Sequence, residues 1–355
     1  MSEVHAIVPE GIDDPARPSG GNTYDRRICD GLAERGWTVR EHGVPGDWPA
    51  AAPADHAALA RALRAIPGGA VVLLDGLIAS AAPEALVAHQ RRLRHVVLVH
   101  MPLGHRPRDG EAGLVRARER EALGAAAAVV TTSAWTRQRL GELYALPAGR
   151  VHVAEPGVDP AALAPGSPDG DALLCVAAVT PGKGHDVLID GLAAAADLPW
   201  RCACVGSVDR DPAFADGVRR RARDGGLGDR VRFTGPRTGR ELERAYAAAD
   251  LLVLASHAET YGMVVTEALA RGVPVLAAEV GGVAEALGHG ADGTRPGLLV
   301  APGDPGAIGA AVRSWLSDPA LRGRLRQAAR ERRGSLRGWP ATTSVVAGVL
   351  AGAAR

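Results

Sequence analysis

Twelve short apolar runs, each followed by a segment rich in Ala, Leu and Arg, recur along the chain and restrict its fold more than any other feature. They are Val4 to Pro9, Thr38 to Val44, Ala70 to Gly76, His95 to His100, Ala127 to Ser133 and Val151 to Gly157. Ala172 to Val179, Arg201 to Ser207, Arg230 to Pro236, Leu251 to His257, Pro274 to Val280 and Gly297 to Pro302 complete the set. Strand-sized runs alternating with helix-sized ones predict parallel sheets covered by helices on both faces. Several runs are apolar throughout, as expected of strands buried on both sides. Twelve strands are too many for one compact sheet, and 355 residues is about twice the usual domain length. The fold class is therefore α/β with two doubly wound, Rossmann-like domains.

The predicted seam is Asp159 to Asp171, where Pro160, Pro165 and Pro168 with several Gly and Asp residues break the periodic pattern. It divides residues 1–163 from 164–339. Asp318 to Gly334 is Arg-rich and reads as a solvated surface helix.

Composition removes several function classes. Lys plus Arg total 41 against 40 Asp plus Glu, too even a balance for a nucleic-acid footprint, and aromatics at 3% are too few to stack bases. Cys29, Cys175, Cys202 and Cys204 form no CxxC, and three lie in strand-like runs as packed, reduced thiols, which suits a cytoplasmic setting. No run of about 18 apolar residues suggests integral membrane association. The pair Asp169/Asp171 precedes its strand and so faces away from the crevice, the pair Asp209/Asp211 lies before an Arg-rich helix, and no HExxH, GxSxG or Cys/His cluster occurs, so no metal site is expected.

In doubly wound sheets, ligands bind beyond the carboxyl ends of the strands, so residues just after the apolar runs carry the functional information. Of the 41 basic residues only one is Lys, and Lys183 sits in such a turn, Thr180-Pro-Gly-Lys-Gly-His185. A single Lys in a chain of Arg points to a need for a compact ammonium there. Gly184 follows it, so the turn is not a Walker A loop. After Leu251 to Ser256 comes His257-Ala-Glu259-Thr-Tyr-Gly262-Met-Val-Val-Thr-Glu267, read as a helix from near Thr260 to Gly272. Eight helical residues separate the two carboxylates by about 12 Å, too far to share one bond but suited to the two ends of an extended ligand. The amides around Tyr261 and Gly262 would then form a helix N-terminus suited to an anion. In the first half, Gly20 and Gly21 open a helix and allow close backbone approach, and His100 ends a strand at the crevice edge.

Taken in order, these elements resemble the family-4 retaining glycosyltransferases of GT-B architecture. The resemblance runs from Gly20-Gly21 through His100, Thr132-Ser133, Pro156-Gly157-Val158-Asp159 and Lys183-Gly184 to the E-x7-E element Glu259 to Glu267 and on to Gly297-Leu-Leu-Val300. It implies two facing domains, the first on the acceptor side, with a last helix, residues 340–355, crossing back to it. It implies a nucleotide-diphosphate sugar, UDP-sugar foremost, as donor substrate, no obligatory cofactor or metal, and a small soluble acceptor. Lys183 would hold the diphosphate, Glu267 the ribose hydroxyls and Glu259 the donor sugar. Backbone amides of Thr260, Tyr261 and Gly262, with Gly20 and Gly21 from the other domain, would complete the phosphate site, and His100 would face the reacting sugar or acceptor. Catalytic roles would fall to His100, Lys183 and Glu259. Alternatives are a sugar-nucleotide epimerase or phosphorylase on the same fold, and a non-catalytic sugar-nucleotide binding protein. The last is prompted by Ala178, which stands where the family commonly has an Arg five residues before the Lys. Arg106, Arg108, Arg237, His185 or helix N-termini are the candidates to replace that cation.

Overall fold

The computed structural model describes residues 2–107 and 110–355. The chain divides into two compact units, residues 1–14, 19–157 and 338–355 in unit 1, and Pro15–Pro18 with Val158–Arg337 in unit 2. All twelve apolar runs form strands.

Unit 1 contains β1 (Glu3–Pro9), β2 (Thr38–Val44), β3 (Val71–Asp75), β4 (Arg94–Val99), β5 (Ala128–Thr131) and β6 (Val151–Val153) in the parallel order β2-β1-β3-β4-β5-β6. Between them run α1 (Gly20–Glu34), α2 (Pro53–Ala65), α3 (Gly76–Ala81), α4 (Pro83–Val87), α5 (Ala112–Ala125) and α6 (Ala134–Tyr144). Ile7, Val72, Leu74, Val97, Val99 and Val129 pack on one face of the sheet with Leu59, Leu63, Leu123 and Leu140 of the helices.

Unit 2 contains β7 (Ala172–Val176), β8 (Arg201–Val205), β9 (Val231–Gly235), β10 (Leu251–Leu254), β11 (Val275–Ala278) and β12 (Gly297–Val300), ordered β12-β11-β10-β7-β8-β9. Its helices are α7 (His185–Ala193), α8 (Pro212–Asp224), α9 (Gly239–Ala247), α10 (Met263–Ala270), α11 (Val283–Leu287), α12 (Pro305–Ser317) and α13 (Pro319–Arg333). Along β10, Leu251 and Val253 enter the core on one face while Leu252 and Leu254 enter the core on the other. This is the alternation that a strand buried on both sides requires. A final helix, α14 (Trp339–Ala353), packs on unit 1, where Thr342 Oγ1 donates to Glu155 O (2.7 Å). Among the described residues no helix is long and apolar enough to cross a membrane.

The division between the units falls at Gly157/Val158, six residues before the sequence-based boundary, and again at Arg337/Gly338. Residues 158–163 are tied to unit 2 by Val158 N, which donates to Arg337 O (3.0 Å), and by Arg333, which donates to Ala161 O (2.6 Å), and a buried carboxylate fastens the stretch that follows. Asp250 accepts from Ser167 N (3.0 Å), Ser167 Oγ (2.6 Å) and Ala172 N (3.0 Å), and pairs with Arg326 (2.7 Å). Ala164 N donates to Arg271 O (2.9 Å), so the Pro-rich stretch is fastened to unit 2 rather than spanning freely. The arginines of α13 are likewise more than a solvated face. Arg322 donates to Trp315 O and Leu316 O, and Arg333 to Ala161 O and Ala270 O, because carbonyls left over at helix ends and in the seam need donors.

Candidate active site

In unit 2 the strand order reverses direction between β7 and β10, so the loops after these two strands flank the switch point where open α/β sheets bind ligands. The loop after β7 makes a tight turn at Pro181–Lys183, closed by Gly184 at φ +64, where a side chain would strike the Ala255 carbonyl. His257 N donates to Gly182 O (3.0 Å) and joins the two loops. As a result, residues 76 apart in sequence meet: Lys183 Nζ donates to Glu259 Oε1 at 2.6 Å, and Ser256 Oγ donates to the same oxygen at 2.9 Å. The pair is partly open, with side chains 31% and 13% exposed.

The helix expected from Thr260 begins only at Met263. Gly262 stands at φ +91, and the backbones of Gly281 and Gly282 press so closely on Glu259 and Thr260 that Cβ atoms there would collide with their carbonyls. Gly282 N donates to Glu259 O (3.2 Å). Glu259 to Gly262 are therefore loop, and the 12 Å helical spacing of the two glutamates does not apply. Thr260, Tyr261 and Gly262 precede the helix, and the Tyr261 side chain is buried in the core. Glu267, in α10, accepts from Tyr246 Oη at 2.7 Å. Burial pushes its carboxyl upward, while the Tyr246 hydrogen bond and the Arg271 charge oppose the rise. Arg271 stacks over the Tyr246 ring (4.6 Å) and donates to Glu267 O (2.8 Å), which holds both partners in place.

In unit 1 the sheet changes direction between β1 and β3. Ser19 caps α1 by accepting from Asn22 N (3.1 Å). A Cβ on Gly21 would come within 3.3 Å of the His100 ring, so the small residue at this helix start makes room for an imidazole of the same unit. His100 is not a lone strand-end residue. Its Nε2 lies 2.7 Å from Asp25 Oδ1 of α1 and 3.6 Å from Asp75 Oδ2 at the end of β3. Asp75 Oδ1 accepts from Leu77 N (2.7 Å) and Ile78 N (3.3 Å), capping α3. Burial alone would pull His100 down, but the charge and hydrogen bond of Asp25, with the charge of Asp75, raise it to about 9. Burial and the neighbouring Asp25 push Asp75 up to about 7. One nitrogen and two oxygens of this trio lie within 4.8 Å of one another, a spacing open to a cation as well as to protons. The 2.7 Å separation of Nε2 and Oδ1 is that of a charge-assisted hydrogen bond, and we read the trio as a proton network.

Sequence reasoning missed Asp25, Asp75, Tyr246 and Ser256. Asp75 was the findable one, an acid ending the apolar run Val71-Val-Leu-Leu-Asp75. Two candidates for the cation lacking at Ala178 are already engaged in the structure. His185 is fully buried with Nε2 3.7 Å from Cys175 Sγ, and the exposed Arg237 is held by Glu241 (2.9 Å). Arg106 is exposed in unit 1, and Arg108 lies outside the described residues. The two Asp-x-Asp pairs have structural duties: Asp171 pairs with Arg201 (2.9 Å) and Asp211 caps α8 through Phe214 N (3.0 Å).

Residues 165–332 match the family described as glycosyl transferases group 1, and residues 4–162 match glycosyltransferase family 4. The chain is 34% identical over 242 residues to the D-inositol 3-phosphate glycosyltransferase of Frankia alni, a match covering 63% of this chain and 58% of that one. It is 35% identical over 252 residues to D-inositol 3-phosphate glycosyltransferase 2 of Catenulispora acidiphila, covering 65% and 57%. The matches thus span a little over half the length of these relatives. Among solved structures, sucrose-phosphate synthase from Thermosynechococcus elongatus superposes with a TM-score of 0.80 at 22% identity over 99% of both chains. Anabaena HepE in complex with UDP and glucose gives 0.76 at 18% identity over 99% of this chain and 100% of that one. These likenesses, with the two parallel six-stranded sheets, establish the GT-B type of Rossmann-like domain. The two family matches together take in nearly the whole chain, which belongs to glycosyltransferase family 4.

Proposed function

We propose that the chain transfers a sugar, with retention of anomeric configuration, from a nucleotide-diphosphate sugar to a small soluble acceptor. The observation that carries the reading is the Lys183–Glu259 contact of 2.6 Å at the β7/β10 switch point. An ammonium held on a single carboxylate oxygen can release that oxygen and move to a diphosphate, leaving Glu259 to accept from a sugar hydroxyl. UDP-sugar is the donor we favour, and Glu267, fixed by Tyr246, is assigned to the ribose hydroxyls. The chemistry needed is stabilisation of the departing diphosphate and orientation of the reactants, which requires neither a covalent intermediate nor a metal. In unit 1, His100 and the Gly20–Gly21 helix start are the residues this reading assigns to substrate binding. The names of the relatives suggest a phosphorylated polyol as the first acceptor class to try.

The test is release of free nucleotide diphosphate from a panel of NDP-sugars, with and without D-inositol 3-phosphate and other small acceptors, the products being read by mass spectrometry. Acceptor-dependent release with an α-linked product from an α-linked donor supports the proposal. Interconversion of donors without release would mark an epimerase. Ala178 favours a second reading, a binding protein without catalysis. Tight nucleotide binding with no turnover on any acceptor would select it.

A further inference from the structure

We propose that Asp25, Asp75 and His100 are one proton-sharing unit: Asp75 donates a proton to Asp25, and Asp25 holds His100 as an imidazolium. The ring can then serve a reaction as a hydrogen-bond donor through Nδ1 and not as a general base. The use of that donor rests on the transferase reading; the proton arrangement rests on unit 1 alone.

The geometry begins with an orphan. Asp25 Oδ2 is buried without a hydrogen-bond partner, although its side chain is only 3% exposed. A buried carboxylate oxygen left without a donor is costly. An oxygen of Asp75 lies within 4.8 Å of an oxygen of Asp25 and of a His100 ring nitrogen, and Asp75 Oδ1 is already occupied by the amides of Leu77 and Ile78. Asp75 Oδ2 is thus the oxygen left to carry a proton. Two ionised carboxylates so close and so buried repel, and one proton between them removes the repulsion and gives Asp25 Oδ2 its donor. Asp25 then keeps one negative charge, and His100 Nε2 at 2.7 Å is the cation that answers it.

Among the described residues, the other groups around His100 are engaged elsewhere or do not ionise. From α1, the Tyr24 ring meets His100 edge-on at 5.3 Å, but its hydroxyl donates to Ala154 O (2.8 Å). α3 and α14, which pack on β4, contain no ionisable side chain. The charges acting on His100 are those of Asp25 and Asp75, and they raise it to about 9 while Asp75 rises to about 7. The unit is therefore neutral below about pH 7 and carries one negative charge once Asp75 ionises. With Nε2 committed to Asp25, the nitrogen available to a ligand is Nδ1, which bears hydrogen in the imidazolium.

The experiment is NMR of the full chain labelled with 15N-histidine, the His100 ring being assigned through His100→Gln. Wild type should show both ring nitrogens protonated at about pH 7.5, a titration near pH 9, and a smaller displacement near pH 7 as Asp75 ionises. Asp75→Asn should abolish the displacement near pH 7, since its amide donates to Asp25 but cannot ionise. Asp25→Asn should drop the His100 titration by at least two pH units. A neutral His100 in wild type at about pH 7.5, or an Asp75→Asn curve that overlays wild type, overturns the proposal. So does saturable broadening or displacement of these signals by micromolar Zn2+ or Mn2+, which would make the trio a cation site. The measurement involves neither sugar nor nucleotide. Failure here with intact sugar transfer removes only this inference, and success here without transfer removes only the transferase reading.

Discussion

Lys183 and Glu259 close the gap between two loops of unit 2, their side chains meeting at 2.6 Å although 76 residues separate them in sequence. The lysine approaches one oxygen that Ser256 also holds, so the pair is oriented before any ligand arrives. The pair is partly open, with side chains 31% and 13% exposed, which leaves the ammonium within reach of a ligand.

Replacing that ammonium with a bulkier cation should separate charge from shape. Lys183→Arg preserves charge, but a planar guanidinium cannot take the same single-point position between Glu259 and a diphosphate. Turnover should fall at least tenfold, about 1.4 kcal/mol in barrier, with the melting temperature nearly unchanged. Initial rates of nucleotide release check this, and equal kinetics would remove the lysine from the machinery.

Glu267 has to be ionised to accept from ribose hydroxyls, and burial raises its carboxyl above the usual range. Affinity for UDP should therefore weaken as pH falls from neutrality toward 5. Tyr246→Phe removes a hydrogen bond that favours the charged form, so the weakening should begin at higher pH in that variant. Calorimetric titrations at a series of pH values test both points, and Glu267→Ala should bind UDP at least tenfold more weakly at neutral pH, with the gap narrowing toward pH 5.

Asp250→Ala should be the most damaging single change in unit 2. It strands the amides of Ser167 and Ala172 and removes the partner of Arg326. Truncating one member of such a buried network costs about 3 kcal/mol or more. The first transition in urea should move to lower denaturant, with Asp250→Asn intermediate; an unmoved transition would contradict the role given to this residue.

Stability of unit 1 should decline on the alkaline side. His100 is raised from the ordinary 6.5 to about 9, so its stabilisation is complete below pH 6.5 and is lost as pH rises through 9. For a side chain 13% exposed, the loss is on the order of 3 kcal/mol. Asp75, raised to about 7, acts in the same direction between its ordinary 3.8 and 7. Thermal melts of wild type and His100→Gln at pH 6 and pH 9.5 should show a steeper alkaline loss in wild type.

The strands were legible because apolar runs such as Leu251 to Leu254 are long enough to cross a sheet and end at loops rich in Gly and Pro. Lys183 and His100 were legible for the same reason, as polar residues just beyond such runs. The start of α10 was not, because Glu259 and Thr260 are packed against Gly281 and Gly282, about twenty residues away in sequence, and Gly262 takes a left-handed conformation before the helix begins. Asp25 was hidden in another way. It lies on the inward stripe of α1 with Tyr24, Ile28, Cys29 and Leu32, where pattern alone cannot distinguish a buried acid from a displaced surface one.

The composition and the Lys183 turn together have a chemical consequence. Lys183 carries the chain's only ε-amine, and it lies 31% exposed against Glu259. An amine-directed acylating reagent therefore has one side chain to modify, and its rate reports directly on whether that amine is occupied. An endoprotease that cuts after lysine has a single bond to attack, between Lys183 and Gly184, inside a turn that must open before it can be cut. Few chains allow a candidate site to be tagged, blocked or clipped with no mutation at all.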